Sequence, residues 1–300
     1  MPMSMSFPII KKQMKQPKRF FLPCEQWIYF KIYCGAITID TLLLDKLNQY
    51  IEDLNTKKSI KRWFFVRYYD PDYHIRLRLE MCKNEHSYEI INALNNITAN
   101  LVKDNFIWKV EISSYHRELE RYIWLDHTIS EKLFHIDSNY LLGSLNYLEN
   151  NELKFLYNFK ATIDFIQLFY TSESQVLDFI KTSDAIFKQE FKLTKTAKKQ
   201  LSTKYRQFST SIFYFLGAIL HGNYKVLKES LALKLSEIQK LVSNVQFPKN
   251  LSQKFDFVSG HIHMNTNRTF ASNQRLYEMI TYDHLYRYYN SQLQRNHKPR

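Results

Sequence analysis

"DPDYHIRLRLE", residues 70–80, decides how the first third of this chain folds. Asp70-Pro71-Asp72 is a turn signal, and beyond it apolar and polar residues alternate. Successive side chains of a strand point to opposite faces. Ile75, Leu77, Leu79 and Met81 therefore face one way, and His74, Arg76, Arg78 and Glu80 the other. "KRWFFVRYY" (61–69) has strand composition and enters the same turn, so the two stretches are the arms of a hairpin.

Working outward, "EQWIYFKIYC" (25–34) alternates as a further strand, with Trp27 and Tyr29 on one face and Ile28 and Phe30 on the other. "TIDTLLLDKLNQYIEDLN" (38–55) carries apolar residues at 43, 44, 47, 51 and 54, a helical stripe with Asp40 as its expected cap. "SYEIINALNNITANLV" (87–102) is a second helix, and "NFIWKVEISS" (105–114) a last strand. The order β-α-β-β-α-β is that of the ferredoxin-like split βαβ unit. Both helices then cover the Ile75/Leu77/Leu79 face. The Arg76/Arg78 face is left either open to water or covered by the rest of the chain.

From about Tyr140 the texture changes to long segments with periods near 3.6, as in residues 142–170, 172–191, 196–220, 224–242 and 273–292. The fold class is α+β: a ferredoxin-like part at 24–125 and a mainly helical part at 126–300, forming one functional unit. Residues 1–23 read as a basic flexible tail. "SGHIHMNTNRTF" (259–270) is too polar for core and too ordered in composition for a linker.

With 300 residues and 45% hydrophobic content the chain has material for one large core or two modest ones. No apolar run approaches the roughly 18 residues of a spanning helix. The N-terminal charges follow a very short apolar stretch, the reverse of a secretory signal. Three cysteines without CxxC or zinc-type spacing suit free thiols in the cytoplasm. A formal charge of +13 invites a polyanionic partner, although the basic residues are spread along the chain.

Three constellations carry chemistry. Arg76 and Arg78 project together and offer a fork for a carboxylate or phosphate, the bland alternative being a solvated strand face. In "SYHRELERY" (114–122) a helical turn brings Glu118 and Arg121 together, which is also a common surface pairing. "HIHMNTNR" (261–268) holds His261, His263, Asn267 and Arg268. On a strand its HxH offers two imidazoles to a metal but lacks a nearby third ligand, so a structural or an acid–base histidine are the other readings. Trp27 and Tyr29 beside a basic sheet face are compatible with RNA binding, but "KRWFFVRYY" lacks the glycine of an RNP1 motif. No P-loop, GxSxG or HExxH is present.

Taken together, "WFFVRYYDPDYHIRLRL" (63–79), "SYHRELERY" and "HMNTNR" (263–268) resemble the C-terminal elimination domain of class I lantibiotic dehydratases. That domain also occurs as a stand-alone thiopeptide-type bacteriocin biosynthesis protein, and the likeness runs from about residue 24 to 293. It implies a lyase that expels glutamate from O-glutamylated Ser or Thr in a ribosomal precursor peptide, leaving dehydroalanine or dehydrobutyrine. Arg76, Arg78, Glu118, Arg121 and His263 fall on the family's catalytic positions, with His263 as the proton-transfer candidate. Asn267 and Arg268 fall on substrate-binding ones. The resemblance implies no metal and no cofactor.

It also implies partners: the precursor peptide, a separate tRNA-dependent glutamylating subunit, and a cyclase. DNA binding and direct tRNA binding are not expected. Nothing in the chain corresponds to the glutamylating part of full-length dehydratases. A pyridine synthase joining two dehydroalanines by formal [4+2] cycloaddition uses the same scaffold and stands as the alternative. A non-catalytic peptide- or RNA-binding module is a third reading. One departure is local: the family often reads "ERYGG", whereas Ile123-Trp124 replace both glycines here.

Overall fold

The computed structural model describes residues 17–296. The N-terminal part runs β1 (Phe20–Phe21), β2 (Trp27–Cys34), α1 (Ala36–Leu42), α2 (Asn48–Thr56), β3 (Ile60–Tyr69), β4 (Tyr73–Met81), α3 (Ser87–Lys103), β5 (Ile107–Ser113) and β6 (Tyr115–His116). A π-helical turn, Leu43–Leu47, joins α1 to α2 without a break. The remainder is helical: α4 (His127–Ser144), α5 (Asn151–Phe169), α6 (Glu173–Glu190), α7 (Lys195–Leu216), α8 (Gly222–Val242), α9 (Leu251–Thr269) and α10 (Gln274–Asn296). The chain is thus an α+β protein with its strands gathered in the N-terminal half.

The hairpin forms in the expected alternation. β4 lies between β3 and β2 in an antiparallel sheet of order β3-β4-β2-β5. The register sets Ile75, Leu77 and Leu79 opposite Ile32, Phe30 and Ile28 on one side and Arg67, Phe65 and Trp63 on the other. All of these are buried. Tyr50 of α2 donates to the Ile90 carbonyl of α3 at 2.9 Å, and Asp40 of α1 pairs with Arg67 of this same sheet face at 2.5 Å. The two helical crossovers therefore cover the apolar face. Asp40 is not the expected cap: α1 starts at Ala36 with Gly35 as N-cap, which places Asp40 mid-helix, where it also holds Lys154 of α5 at 2.9 Å.

The opposite face, with Arg76 and Arg78, is not left to water. The helical half closes over it, and it also satisfies the outer edge of β3. Phe65 N–H donates to Ser138 of α4 at 3.2 Å, and the Phe65 carbonyl accepts from Arg268 Nε of α9 at 2.7 Å. Arg67 Nε donates to the Arg268 carbonyl at 2.6 Å. An edge strand otherwise presents a row of open hydrogen-bonding groups; here side chains of two helices take the place of a fifth strand. Those bonds fix α9 against the sheet.

The reading of residues 1–23 as a tail falls partly on 1–16, which lie outside the described residues. Phe20–Phe21 pair with Tyr115–His116 as a second, two-stranded sheet. Phe21 stacks on Tyr115 with centroids 5.8 Å apart, so the ordered chain starts before residue 24. Among the described residues no helix is long and apolar enough to cross a membrane.

Candidate active site

The closed face of the sheet holds a cleft of about 140 Å³ whose lining includes Arg76, Arg78, Glu118, Arg121, His263, Asn267 and Arg268. Three separate stretches of sequence thus meet in one place. Each is positioned by its element. Arg76 and Arg78 stand on β4 at period two. Glu118 caps a 3₁₀ turn, Leu119–Tyr122, and this turn brings Arg121 Nη1 to Glu118 Oε2 at 3.2 Å. His263, Asn267 and Arg268 project from α9.

The strand arginines are held by rings rather than by acids. The Arg76 guanidinium lies 3.3 Å from the Tyr68 ring centroid, and its Nε donates to His74 Nε2 at 3.1 Å. Arg78 sits over Tyr29 at 4.3 Å, Tyr115 at 5.0 Å and Phe64 at 5.4 Å. Among the described residues neither has a carboxylate within salt-bridge reach. Both positive charges are therefore oriented by stacking and remain free for an incoming anion.

The HxH motif is helical, not a strand. A rotation of about 100° per residue sends positions 261 and 263 to opposite sides of α9, so the two imidazoles do not converge on an ion. His261 is buried among Phe134, Phe257, Phe165 and Tyr122, with Ser130 Oγ at 3.3 Å. Burial pushes its pKa well below the ordinary histidine value, with Arg268 adding to the effect. It is a neutral core residue. His263 faces the cleft: Nδ1 lies 2.8 Å from Glu278 Oε2, and Nε2 lies 3.1 Å from Asn267 Nδ2.

Arg268, expected as a substrate-binding residue, stands at the wall of this cleft. It is fully buried, gives Nε to the Phe65 carbonyl and gives Nη1 to Asp137 Oδ2 at 2.8 Å. Its guanidinium thus joins the sheet edge to α4, and its Nη2 has no hydrogen-bond partner among the described residues.

Gly260 explains how the 3₁₀ turn approaches α9 so closely. A Cβ at that position would meet Tyr122 Cε1 at 3.3 Å and Arg121 Cγ at 3.7 Å.

Residue-type patterns missed His127 and Glu278. His127, the first residue of α4, lines the cleft, and its ring nitrogens have no hydrogen-bond partner among the described residues. Burial, with Arg117 beside it, pushes its pKa down to about 4. The unfolded chain therefore takes up this proton near pH 6.5 and the folded chain only near 4. Stability attributable to His127 is constant above that window and falls as pH drops through it, by about 3 kcal/mol in all. Denaturant titrations at pH 7 and pH 4 are expected to show a smaller pH-dependent loss in His127→Phe than in the wild type. Equal losses in the two proteins would contradict the assignment.

The model of the family "Lantibiotic biosynthesis dehydratase C-term" matches residues 27–289. The chain belongs to this family. The subtilin biosynthesis protein SpaB of Bacillus subtilis is 23% identical over 293 residues, covering 91% of this chain and 28% of SpaB. The chain thus spans less than a third of the length of that relative. Among solved structures, the tRNA dependent lantibiotic dehydratase MibB from Microbispora sp. 107891 superposes with a TM-score of 0.71 at 14% identity. That match covers 95% of this chain and 29% of MibB. The pyridine synthase TbtD, from thiomuracin biosynthesis, gives 0.63 at 10% identity, covering 89% of this chain and 100% of TbtD.

Against the "ERYGG" pattern of the lantibiotic dehydratase C-terminal family, the replaced glycines have a structural consequence. Trp124 is buried, donates Nε1–H to the Pro248 carbonyl at 3.0 Å and stacks on Phe247 at 5.3 Å. Ile123 is exposed. Where two glycines leave the backbone free, this member pins the segment after Arg121 to its helical half.

Proposed function

We propose that this chain catalyses elimination of glutamate from O-glutamylated Ser or Thr of a ribosomally made precursor peptide in bacteriocin biosynthesis. The observation that carries the reading is the pair of stacked arginines without carboxylate partners, facing Arg121 and His263 across one cleft. In the reaction His263 exchanges the proton and the C–H electron pair becomes the Cα–Cβ double bond. The Cβ–O pair leaves on the glutamate carboxylate. Negative charge grows on the peptide carbonyl next to Cα, and a glutamyl carboxylate must be held. Arginines serve both needs, as fixed positive charge and as bidentate donors. Asn267 lies within reach of the same proton-transfer atom.

The scaffold is read as a ferredoxin-like split βαβ unit at 24–125 joined to the helical part at 126–300 as one working unit. The order β3-β4-β2-β5, with helical crossovers on one face, supports this. The glutamylated peptide would come from a separate tRNA-dependent glutamylating protein, and a cyclase would use the product. Three free thiols, Cys24, Cys34 and Cys82, support a cytoplasmic setting.

Incubation with a synthetic peptide carrying one O-glutamyl serine is expected to release glutamate and leave dehydroalanine, read by mass spectrometry. Binding of the peptide without either product sinks the reading. The likeness to TbtD over its full length favours one rival, cycloaddition of two dehydroalanines. A bis-dehydroalanine peptide in a parallel reaction tests it, and a pyridine product there with no elimination would replace the first reading by the second.

A further inference from the structure

His263 keeps 22% of its side-chain surface, whereas Glu278, against its Nδ1, keeps 3%. The two stand on α9 and α10, joined by the short turn that follows Phe270. Glu278 Oε2 lies 2.8 Å from Nδ1. The same oxygen accepts from Arg275 Nη1 at 3.0 Å, one turn earlier on α10. Arg275 Nε is in turn anchored to Glu190 Oε1 of α6 at 2.8 Å. An ionised carboxylate only accepts hydrogen bonds, so the proton of the neutral ring belongs on Nδ1. Nε2 then offers its lone pair, and at rest this accepts from Asn267 Nδ2 at 3.1 Å. The arrangement leaves one ring nitrogen buried and fixed and the other at the wall of the cleft.

We propose that Glu278 is a positioning residue of this site: its carboxylate fixes the Nδ1–H tautomer of His263 and balances the imidazolium formed when Nε2 takes a proton. The chemistry of this proposal rests on the elimination reading; the tautomer rests on geometry alone. The proton lost from Cα resides on Nε2, the C–H pair forms the double bond, and Glu278 remains a carboxylate throughout. A carboxylate that orients an imidazole and stabilises its cation, without itself being protonated, is established chemistry for hydrolytic triads. Here the partner arrives from a separate helix rather than from the motif that carries the histidine.

A second cleft, of about 420 Å³, reaches the pair from the other side, with Glu120, Arg121, Gly260, His263, Arg275 and Glu278 on its wall. Arg275 therefore has a further role, keeping the carboxylate turned toward His263 rather than toward that opening.

The test combines kinetics with nitrogen NMR on the full chain. Glu278→Gln is expected to lower kcat for the glutamylated peptide by at least about 10²-fold with KM within twofold. It should also displace the pH–rate limb that His263→Asn abolishes. Glu278→Asp should recover part of the rate. In wild-type protein labelled with ¹⁵N-histidine, the His263 ring should be protonated at Nδ1 and not at Nε2, and in Glu278→Gln this preference should be lost. A Glu278→Gln enzyme with wild-type kcat and pH profile overturns the proposal. So does an Nε2-protonated ring in the wild type, a result that stands even where the Gln variant fails to fold. Absence of elimination by the wild type defeats the elimination reading instead, and the nitrogen spectrum still decides the tautomer.

Discussion

Arg78→Met is expected to raise the thermal midpoint of the protein while lowering elimination of a glutamylated peptide by about 10²–10³-fold. The two effects share one cause. Arg78 is half-buried, its Nε lies buried without a hydrogen-bond partner, and no carboxylate among the described residues faces it. A charge withdrawn from water without a counter-ion destabilises a fold; stacking on Tyr29, Tyr115 and Phe64 offsets only part of that. Repulsion adds to the cost. Burial pushes Arg268 below the usual guanidinium range, and Arg78 contributes to the shift. Methionine keeps the apolar stem between the rings and removes the charge. A gain of about 1–2 kcal/mol follows from freeing an unsatisfied donor, which is about 2–5 °C in a chain of this size.

A purely structural arginine predicts the opposite sign, because its loss would lower the midpoint. A further arm uses a dicarboxylate such as glutarate. It should raise the midpoint of the wild type by mass action and leave Arg78→Met unmoved. A variant that melts lower and still eliminates would remove Arg78 from the site.

How much of this arrangement was readable in advance depends on the range of the contacts that hold each piece. The hairpin at 61–80 is local: the alternation and the Asp-Pro-Asp turn are both in the sequence, and the register follows them. The helical stripe at 43–54 was equally legible, but its cap was not. The helix begins at Ala36, before the stripe does, and Asp40 is drawn instead to Arg67 and Lys154. Nothing local encodes that pairing.

The segment 259–270 was the hardest to place because α9 shows no apolar stripe. Asn265, Thr266, Asn267 and Arg268 are all buried. Asn265, Thr266 and Arg268 find Asn158, Asp137 and the Phe65 carbonyl, each more than a hundred residues away in sequence, while Asn267 meets His263 one turn earlier on the same helix. A helix whose inward face is polar, and whose partners are that distant, carries no period to read. Local pattern left Arg76, Arg78, Arg121 and His263 open between surface or structural roles and chemistry; the family resemblance of their motifs is what singled them out. Glu278 was not found, since a glutamate on a tyrosine-rich helix has the look of a solvated surface residue. The two-residue pairing of β1 with β6 gave no signal at all.

Asp137→Asn is expected to cost about 3–5 kcal/mol, on the order of 10 °C in midpoint. Asp137 of α4 pairs with two buried cations: Lys234 of α8 binds its Oδ1, and Arg268 of α9 binds its Oδ2 at 2.8 Å. Lys234 also donates to Asn265 Oδ1 at 3.0 Å, Asn265 to Asn158 Oδ1 at 2.8 Å, and Asn158 to Thr281 at 3.2 Å. One carboxylate thus ties α4, α8, α9, α5 and α10 together. Through Arg268 and the Phe65 carbonyl it also ties them to the sheet edge. An amide of the same shape keeps the volume but takes the ion-pair partner from buried Arg268 and leaves Lys234 only the attraction of Asp164, the costly way to break a buried pair. The damage should reach the reaction too, because Arg268 anchors the helix that presents His263. The control lies on the same helix: Ser144→Ala removes the 2.8 Å contact with Ser230 and should cost only about 1 kcal/mol. A midpoint for Asp137→Asn no lower than that of the control would mean that water reaches Lys234 and Arg268 after all. The joint between sheet and helices would then rest on apolar packing alone.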